Sequence, residues 1–328
     1  MPVESRTTST LSAIHQEGRE LESDINLRQE VLAGLRKAQK ELPSKLFYDT
    51  RGSQLFDQIT RLEEYYLTRT ESSILENYCA EIAATLGSAR ALIEYGSGSS
   101  SKTRLLLDHL NLELYVPIDI SGDYLLKTAQ ELRRHYPRLK VEPVHGDYTG
   151  QTSLPAMAEN QPRLAFFPGS TIGNFHPAGA IEFLKRVALT VGRGGGLLIG
   201  VDLKKDPAMI HRAYNDPAGI TAAFNLNMLV HINRSFAAEF DPENFYHHAP
   251  YNPAAGRIEM HLISRCDHSV RLGSELVDFR EGESILTEVS YKFTPAEFAA
   301  LAGRAGFRVE RVWTDECRLF SVQHLSVD

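Results

Sequence analysis

Residues 91–103 read "ALIEYGSGSSSKT". A short apolar run gives way to Gly-Ser-Gly, then to serines and a lysine, and "RLLLDHL" (104–110) resumes with helical spacing. A strand, a glycine turn and a helix in direct succession form the opening unit of a parallel α/β sheet. Gly96 and Gly98 allow a tight turn and close approach of a ligand to the backbone. The helix that follows presents free N–H groups and the positive end of its dipole. Such a junction also occurs where it does nothing but join a strand to a helix.

Reading downstream, the pattern predicts strands at 91–95, 114–119, 140–144, 163–168 and 196–202. Helices are expected near 101–110, 121–135 and 177–190. Apolar strands separated by amphipathic helices predict an α/β fold with a parallel sheet covered on both faces. After "GGGLLIGVDL" (194–203) the alternation breaks. Asp206-Pro207 opens a helix, a Pro- and Asn-rich stretch follows, and "RIEMHLIS" and "ILTEVSYKF" read as antiparallel strands. Thr294-Pro295 opens another helix, and "FRVERVWTD" and "FSVQHLSV" close the sheet as an antiparallel pair.

Upstream, 1–23 is a polar, loose arm, and Val31, Leu35, Ala38 and Leu42 recur at helical spacing until Pro43. Thr68 with Glu71 fits a capping box that opens a helix ending at Gly87. The expected organisation is therefore an arm (1–23), helices (24–90), a sheet core (91–203), an insertion (204–293) and a return to the core (294–328). The helices and the insertion together predict a second, substrate-binding domain at the sheet's carboxyl edge.

Composition bounds the chemistry. The 328 residues, 42% hydrophobic and 23% charged, suit a soluble globular protein. A net charge of −7 without a basic cluster argues against nucleic acid. Cys79, Cys266 and Cys317 form no CxxC pair and read as reduced cytosolic thiols, and no metal site is expected. His176 and His247-His248 sit beside Pro and Asn, as in surface loops. No signal peptide or membrane span is visible, so the expectation is a cytoplasmic monomer.

Two acids extend the glycine turn. Asp119 ends the second strand, 21 residues beyond Gly98, where a carboxylate is placed for ribose hydroxyls. Asp147, after the third strand in "VEPVHGDY", is placed to accept an adenine amine. Each acid alone reads equally well as a cap on the next element. Together they trace an adenosine ligand. A dinucleotide calls for a third glycine, and Ser101 stands there. S-adenosylmethionine has no phosphate, and the serines and Lys102 offer partners for its carboxylate.

The sequence resembles the histidine-specific, S-adenosylmethionine-dependent methyltransferases. The segments that carry the likeness are "FYDTRGSQLFDQITRLEEYYLTRTE", "EYGSGSSSKTR", "PIDIS", "GDY", "GSTIGNFHP", "RAYNDPAGITAAFNLN", "RIEMHL" and "LTEVSYKF", in order over 47–293. The resemblance implies a class I, Rossmann-like methyltransferase sheet. It implies three methyl transfers to the α-amine of L-histidine, giving hercynine on the way to ergothioneine. It further implies that Gly96, Lys102, Asp119, Asp147 and Tyr148 contact S-adenosylmethionine. Tyr65, Asn174 and Tyr214 would hold the α-carboxylate and amine region. Glu288 and Ser290 would recognise the imidazole beside Met260, and Tyr48 would lie near the amine and methyl donor. Leu67 replaces a proline common in the family, and "DECRLFSVQHL" also departs from its pattern.

Read on their own, these residues keep simpler roles. Glu288 and Ser290, two apart on a strand, share one face and suit the two nitrogens of an imidazole, or form an exposed strand face. Asn174 is a donor to a carboxylate or a turn asparagine. Only one of Tyr65 and Tyr66 is expected to point inward, and Tyr214 and Met260 also suit packing. The carboxylate clamp contains Tyr and Asn donors without a full positive charge. Methylation of another small amine, or a silent S-adenosylmethionine-binding protein, are the alternative functions; a nicotinamide-dependent dehydrogenase is a weaker one.

Overall fold

The computed structural model describes residues 25–87, 89–98, 100–150, 154–155 and 162–327. The arm expected over 1–23 lies outside them. In chain order the elements are α1 (25–35), β1 (Lys40–Glu41), α2 (Thr50–Ile59), α3 (Tyr66–Leu86), β2 (Ala91–Tyr95), α4 (Ser101–Leu107), β3 (Leu114–Asp119) and α5 (Gly122–His135). There follow β4 (Lys140–Val141), β5 (Val144–His145), β6 (Arg163–Phe167), α6 (Pro177–Val191), β7 (Gly196–Asp202), α7 (Pro207–Tyr214) and α8 (Ile220–Phe236). The remainder comprises β8 (Phe245–His248), β9 (Tyr251–Asn252), β10 (Arg257–Ser264), β11 (His268–Leu272), β12 (Glu275–Phe279), β13 (Ser284–Tyr291), α9 (Pro295–Gly303), β14 (Phe307–Thr314) and β15 (Phe320–Val327).

The chain forms two compact units. The larger holds Tyr48–Thr221, Ala249–Glu259 and the residues from Val289 onward. The smaller holds the described residues up to Phe47, with Ala222–His248 and Met260–Glu288. The division falls elsewhere than the boundaries expected at 90/91 and 203/204. Residues 48–90 go with the larger unit because α3 packs on β7, β15 and α4.

In the larger unit the sheet runs β14-β15-β7-β6-β2-β3, with β4 and β5 both on the outer side of β3. β7, β6, β2, β3 and the β4/β5 edge are parallel, and β15 is antiparallel to both β7 and β14. This is the α/β sheet with a terminal antiparallel pair that the sequence predicts. All five residues of β2 and all seven of β7 are buried, as expected of central parallel strands covered on both faces. Ile93, Val116, Phe167, Leu184, Ile199 and Phe298 lie in one continuous core. The strand expected over 140–144 is two short pieces, because Pro143 has no N–H to give the ladder. α9 opens with the capping box of Thr294 and Glu297, and α7 with the Asp206 side chain on Ala208 N–H.

Thr68 and Glu71 do not form a capping box. α3 starts earlier, at Tyr66, without a side-chain cap. Glu71 is fully buried, pairs with Lys102 and accepts the Gly169 N–H at 2.9 Å. Gly200 makes room for it, since a Cβ there would overlap the Glu71 carboxylate.

The smaller unit contains α1, most of α8 and the hairpin β11–β12. β1 pairs in parallel with β13, and β8 antiparallel with β10. β10 and β13 each continue from one unit into the other. α1 stops at 35 rather than 42, because Gly34 lets the Glu41 carbonyl close onto the helix where any Cβ would clash. α8 replaces the irregular stretch expected from its asparagines. Those asparagines are used: buried Asn225 donates to His261 O at 3.0 Å and accepts from Thr287 Oγ1 at 2.7 Å.

Candidate active site

At the carboxyl ends of β2 and β3 the backbone turns away and leaves a cavity, entirely within the larger unit. Gly96 and Gly98 take φ of +72° and +47°, which favour glycine. A Cβ on Gly96 would lie 3.5 Å from the Tyr148 ring, whereas one on Gly98 meets nothing within 4 Å. Asp119 ties the turns together: Oδ2 accepts Gly98 N–H and Oδ1 accepts Ser121 N–H, each at 2.9 Å. Tyr48, Tyr65, Gly96, Lys102, Asp119 and Tyr148, six of the predicted site residues, share the cavity wall. Asp147 is not on that wall. Its Oδ1 accepts from Thr149 N–H at 2.8 Å and Thr149 Oγ1 at 2.5 Å, the turn-capping geometry.

The wall is acidic. It carries Asp57, Glu94 and Asp119, and Lys102 is the one basic side chain on it among the described residues. Lys102 is itself neutralised by Glu71. That donor set suits a sulfonium with a ribose better than a pyrophosphate, which needs positive charge and exposed N–H groups. S-adenosylmethionine therefore fits the residues present.

Glu94 was not singled out in the sequence, although a carboxylate inside the apolar strand 91–95 is itself a signal. It is fully buried and accepts from Thr103 Oγ1 at 2.7 Å and from Tyr115 OH. Burial pushes its carboxyl up to about 8; the Asp119 charge adds to this, while the Thr103 and Tyr115 hydrogen bonds and Lys102 oppose it. Near neutral pH the free protein holds this proton, and a cation in the cavity favours its release. Affinity for S-adenosylmethionine is expected to rise with pH and to level off above about 8. Calorimetry at pH 7 in buffers of different ionisation enthalpy measures the released proton. Glu94→Gln, the neutral isostere, is expected to remove that release; an unchanged release assigns the proton to another group.

A chain of aromatic rings leads from the cavity to a buried polar cluster. Tyr48 meets Phe56 edge-on at 6.0 Å between centroids, Phe56 meets Tyr65 at 6.4 Å, and Tyr65 meets Tyr214 at 6.2 Å. Tyr214 OH donates to Ser290 Oγ at 3.0 Å. Lys292, fully buried, donates to Tyr214 OH at 3.0 Å and Ser290 Oγ at 2.9 Å, and pairs with Asp202 at 2.8 Å. Asp202 also accepts Tyr66 OH at 2.8 Å and pairs with Lys205. The adjacent tyrosines thus divide, Tyr65 to the cavity and Tyr66 to Asp202. The clamp expected to lack full positive charge has an ammonium behind it.

Asn174 ends the turn Thr171–Asn174. Gly173 lets that turn lie on β13: a Cβ there would be 2.7 Å from Tyr291 O and 3.5 Å from Ser290 Oγ. Met260 and Glu288 belong to the smaller unit. Met260 is buried with Ile258 and Leu262 on one face of β10, and Glu288 is half-buried on β13. Lys292 is the residue that sequence reasoning missed here. A lysine in the strand-like run "VSYKF", in phase with Ser290, was its only trace.

Comparison with known proteins places the sequence in a family. The sequence pattern of the family described as "Histidine-specific methyltransferase, SAM-dependent" matches residues 27–327. A histidine N-alpha-methyltransferase of Mycobacterium tuberculosis is 45% identical over 304 residues, covering 91% of this chain and 94% of that protein. Ergothioneine biosynthesis protein 1 of Neurospora crassa is 33% identical over 89% of this chain and 34% of its own length. A 4-dimethylallyltryptophan N-methyltransferase of Aspergillus fumigatus is 32% identical over 90% of this chain and 91% of its own.

Proposed function

The chain belongs to the SAM-dependent, histidine-specific methyltransferases, and on that premise we propose that it trimethylates the α-amine of L-histidine to give hercynine. The observation that carries the reading is the run of contacts from the acidic glycine-turn cavity through Tyr65 and Tyr214 to Ser290. It joins a compartment suited to a sulfonium to one suited to a polar amino acid.

When bound, S-adenosylmethionine supplies a methyl group on a cationic sulfur. Asp119 and the glycine turn orient the adenosine end, and Tyr148 walls it off beside Gly96. Tyr65 and Asn174 hold the substrate's carboxylate with the Tyr214 ring beside them, the Tyr214 hydroxyl being given to Ser290, and Glu288 and Ser290 hold its ring with Met260 alongside. Gripping both ends leaves the amine between them, where positioning alone lowers the barrier by several kcal/mol. Each transfer needs a neutral amine, so a proton leaves before every step. In this reading Tyr48, on the cavity wall, relays it to water, taking one proton as it gives up its own. Reaction stops at the third methyl because no N–H remains.

Mass spectrometry of histidine incubated with protein and methyl donor tests this: the trimethyl betaine is expected to dominate. Monomethylhistidine alone, or methylation of a tryptophan derivative in preference, redirects the reading to another amine. Glu288→Ala is expected to reduce kcat/KM for histidine by at least about 100-fold, since a buried ring N–H loses a charged acceptor. Steady-state rates with histidine measure it, and an unchanged rate removes Glu288 from ring recognition. No helix among the described residues is long and apolar enough to cross a membrane. The same reading makes the enzyme a cytosolic monomer acting on a free amino acid, which size-exclusion chromatography checks for oligomeric state.

A further inference from the structure

We propose that Lys292 is a positioning residue that fixes the hydrogen-bond polarity of Ser290, making its hydroxyl an obligatory donor and so selecting a ring with an acceptor nitrogen. The inference rests on the reading that Ser290 meets the substrate's imidazole.

A serine hydroxyl has one proton to give and two lone pairs. Ser290 Oγ receives the Tyr214 O–H at 3.0 Å and a Lys292 N–H at 2.9 Å. Both lone pairs are spent, and the proton is what remains for a ligand. The ammonium is equally constrained. Its three protons go to Asp202, Tyr214 and Ser290, and no part of its side chain reaches solvent. Asp202 is held in turn by Tyr66, on the oxygen that Lys292 meets, and by Lys205 on the other. Lys292 also lies 4.9 Å from the centre of the Tyr214 ring.

The ring chemistry follows. Neutral imidazole has one N–H and one acceptor nitrogen. Glu288 takes the N–H, and Ser290 can only donate to the other nitrogen. Imidazolium offers two N–H groups and no acceptor, and indole offers one N–H and no acceptor. Both leave the Ser290 proton unpaired in a buried site, which such sites reject strongly. Lys292 thereby sets both the protonation state and the ring type that the pocket takes.

Steady-state kinetics with histidine from pH 5.5 to 7.5, at saturating S-adenosylmethionine, test this. In the wild-type protein KM is expected to climb about tenfold per unit once the imidazole titrates, near pH 6.5. Lys292→Met leaves Ser290 free to accept. KM at pH 7.5 is expected to rise about tenfold with kcat changed less than about threefold, and the climb on acidification to flatten. Tyr66, Tyr214, Asp202 and Lys205 face this cluster. Burial pulls Lys205 down to about 8, above the window, so it stays cationic across it. Glu288 is common to both proteins.

On a Ser290→Ala background, Lys292→Met is expected to change KM no further. A Lys292→Met protein with the wild-type KM and the wild-type pH slope overturns the inference, as does a full effect on the Ser290→Ala background. Should Lys292→Met be recovered unfolded, judged by loss of S-adenosylmethionine binding, Lys292→Gln is neutral, keeps a donor for Asp202 and decides in the same assay. Wild-type protein that methylates no histidine defeats the functional reading instead.

Discussion

Replacing Asp202 by alanine is expected to lower the unfolding free energy by about 3–5 kcal/mol. Asp202 is completely buried and compensates two lysines, Lys292 with no exposed side-chain surface and Lys205 with almost none. It also receives the Tyr66 hydroxyl at 2.8 Å. Removing the carboxylate strands two cations and a phenol in the interior. Urea unfolding followed by circular dichroism measures the loss. Removing a cation as well, in Asp202→Ala with Lys292→Met, is expected to recover part of it, because unpaired charge rather than absent contact is the dominant cost. A loss under about 1 kcal/mol for the single change is the range of solvated surface pairs and contradicts the account.

Asp119→Ala is expected to weaken S-adenosylmethionine binding about 100-fold, from the loss of two charge-assisted hydrogen bonds worth about 1.5 kcal/mol each. The carboxylate does two jobs in the free protein. It accepts Gly98 N–H and Ser121 N–H, fixing the glycine turn against the start of α5. In the complex its remaining lone pairs face the ribose. Asp119→Asn keeps one acceptor oxygen and gives a donor where Ser121 or Gly98 also donates, so an intermediate loss is expected. Titration calorimetry with the cofactor reads both variants. A change below about threefold for Asp119→Ala, under 1 kcal/mol, would show the turn to be held by other groups.

Much of the larger unit was legible because buried parallel strands are written as largely apolar runs. "ALIEY" and "GLLIGVD" have Gly or a charged residue at each boundary, and the structure keeps those boundaries. What failed did so for tertiary reasons. Glu71 looks like a helix cap in sequence, yet its partners, Lys102 and Gly169, lie 31 and 98 residues away. The asparagines of α8 suggest a loop until Thr287 and the His261 carbonyl are seen to satisfy one of them. The strand β1 has only two residues and exists because β13 offers an edge. For the site, the glycine turn and Asp119 were readable from spacing. The union of Tyr214, Ser290 and Lys292 was not, since α7 and β13 lie far apart along the chain and meet only in three dimensions.

The position of β15 carries a burden for biogenesis. β7 is apolar along most of its length, and one of its two hydrogen-bonding edges stays bare until Phe320–Val327, later in the sequence than every other strand of that sheet, slots in beside it. A ribosome-bound intermediate therefore displays an open, sticky ribbon while the intervening segments are still being synthesised. Such an enzyme is poorly placed to fold vectorially, and its yield in cells should depend on holdase chaperones far more than its finished stability suggests.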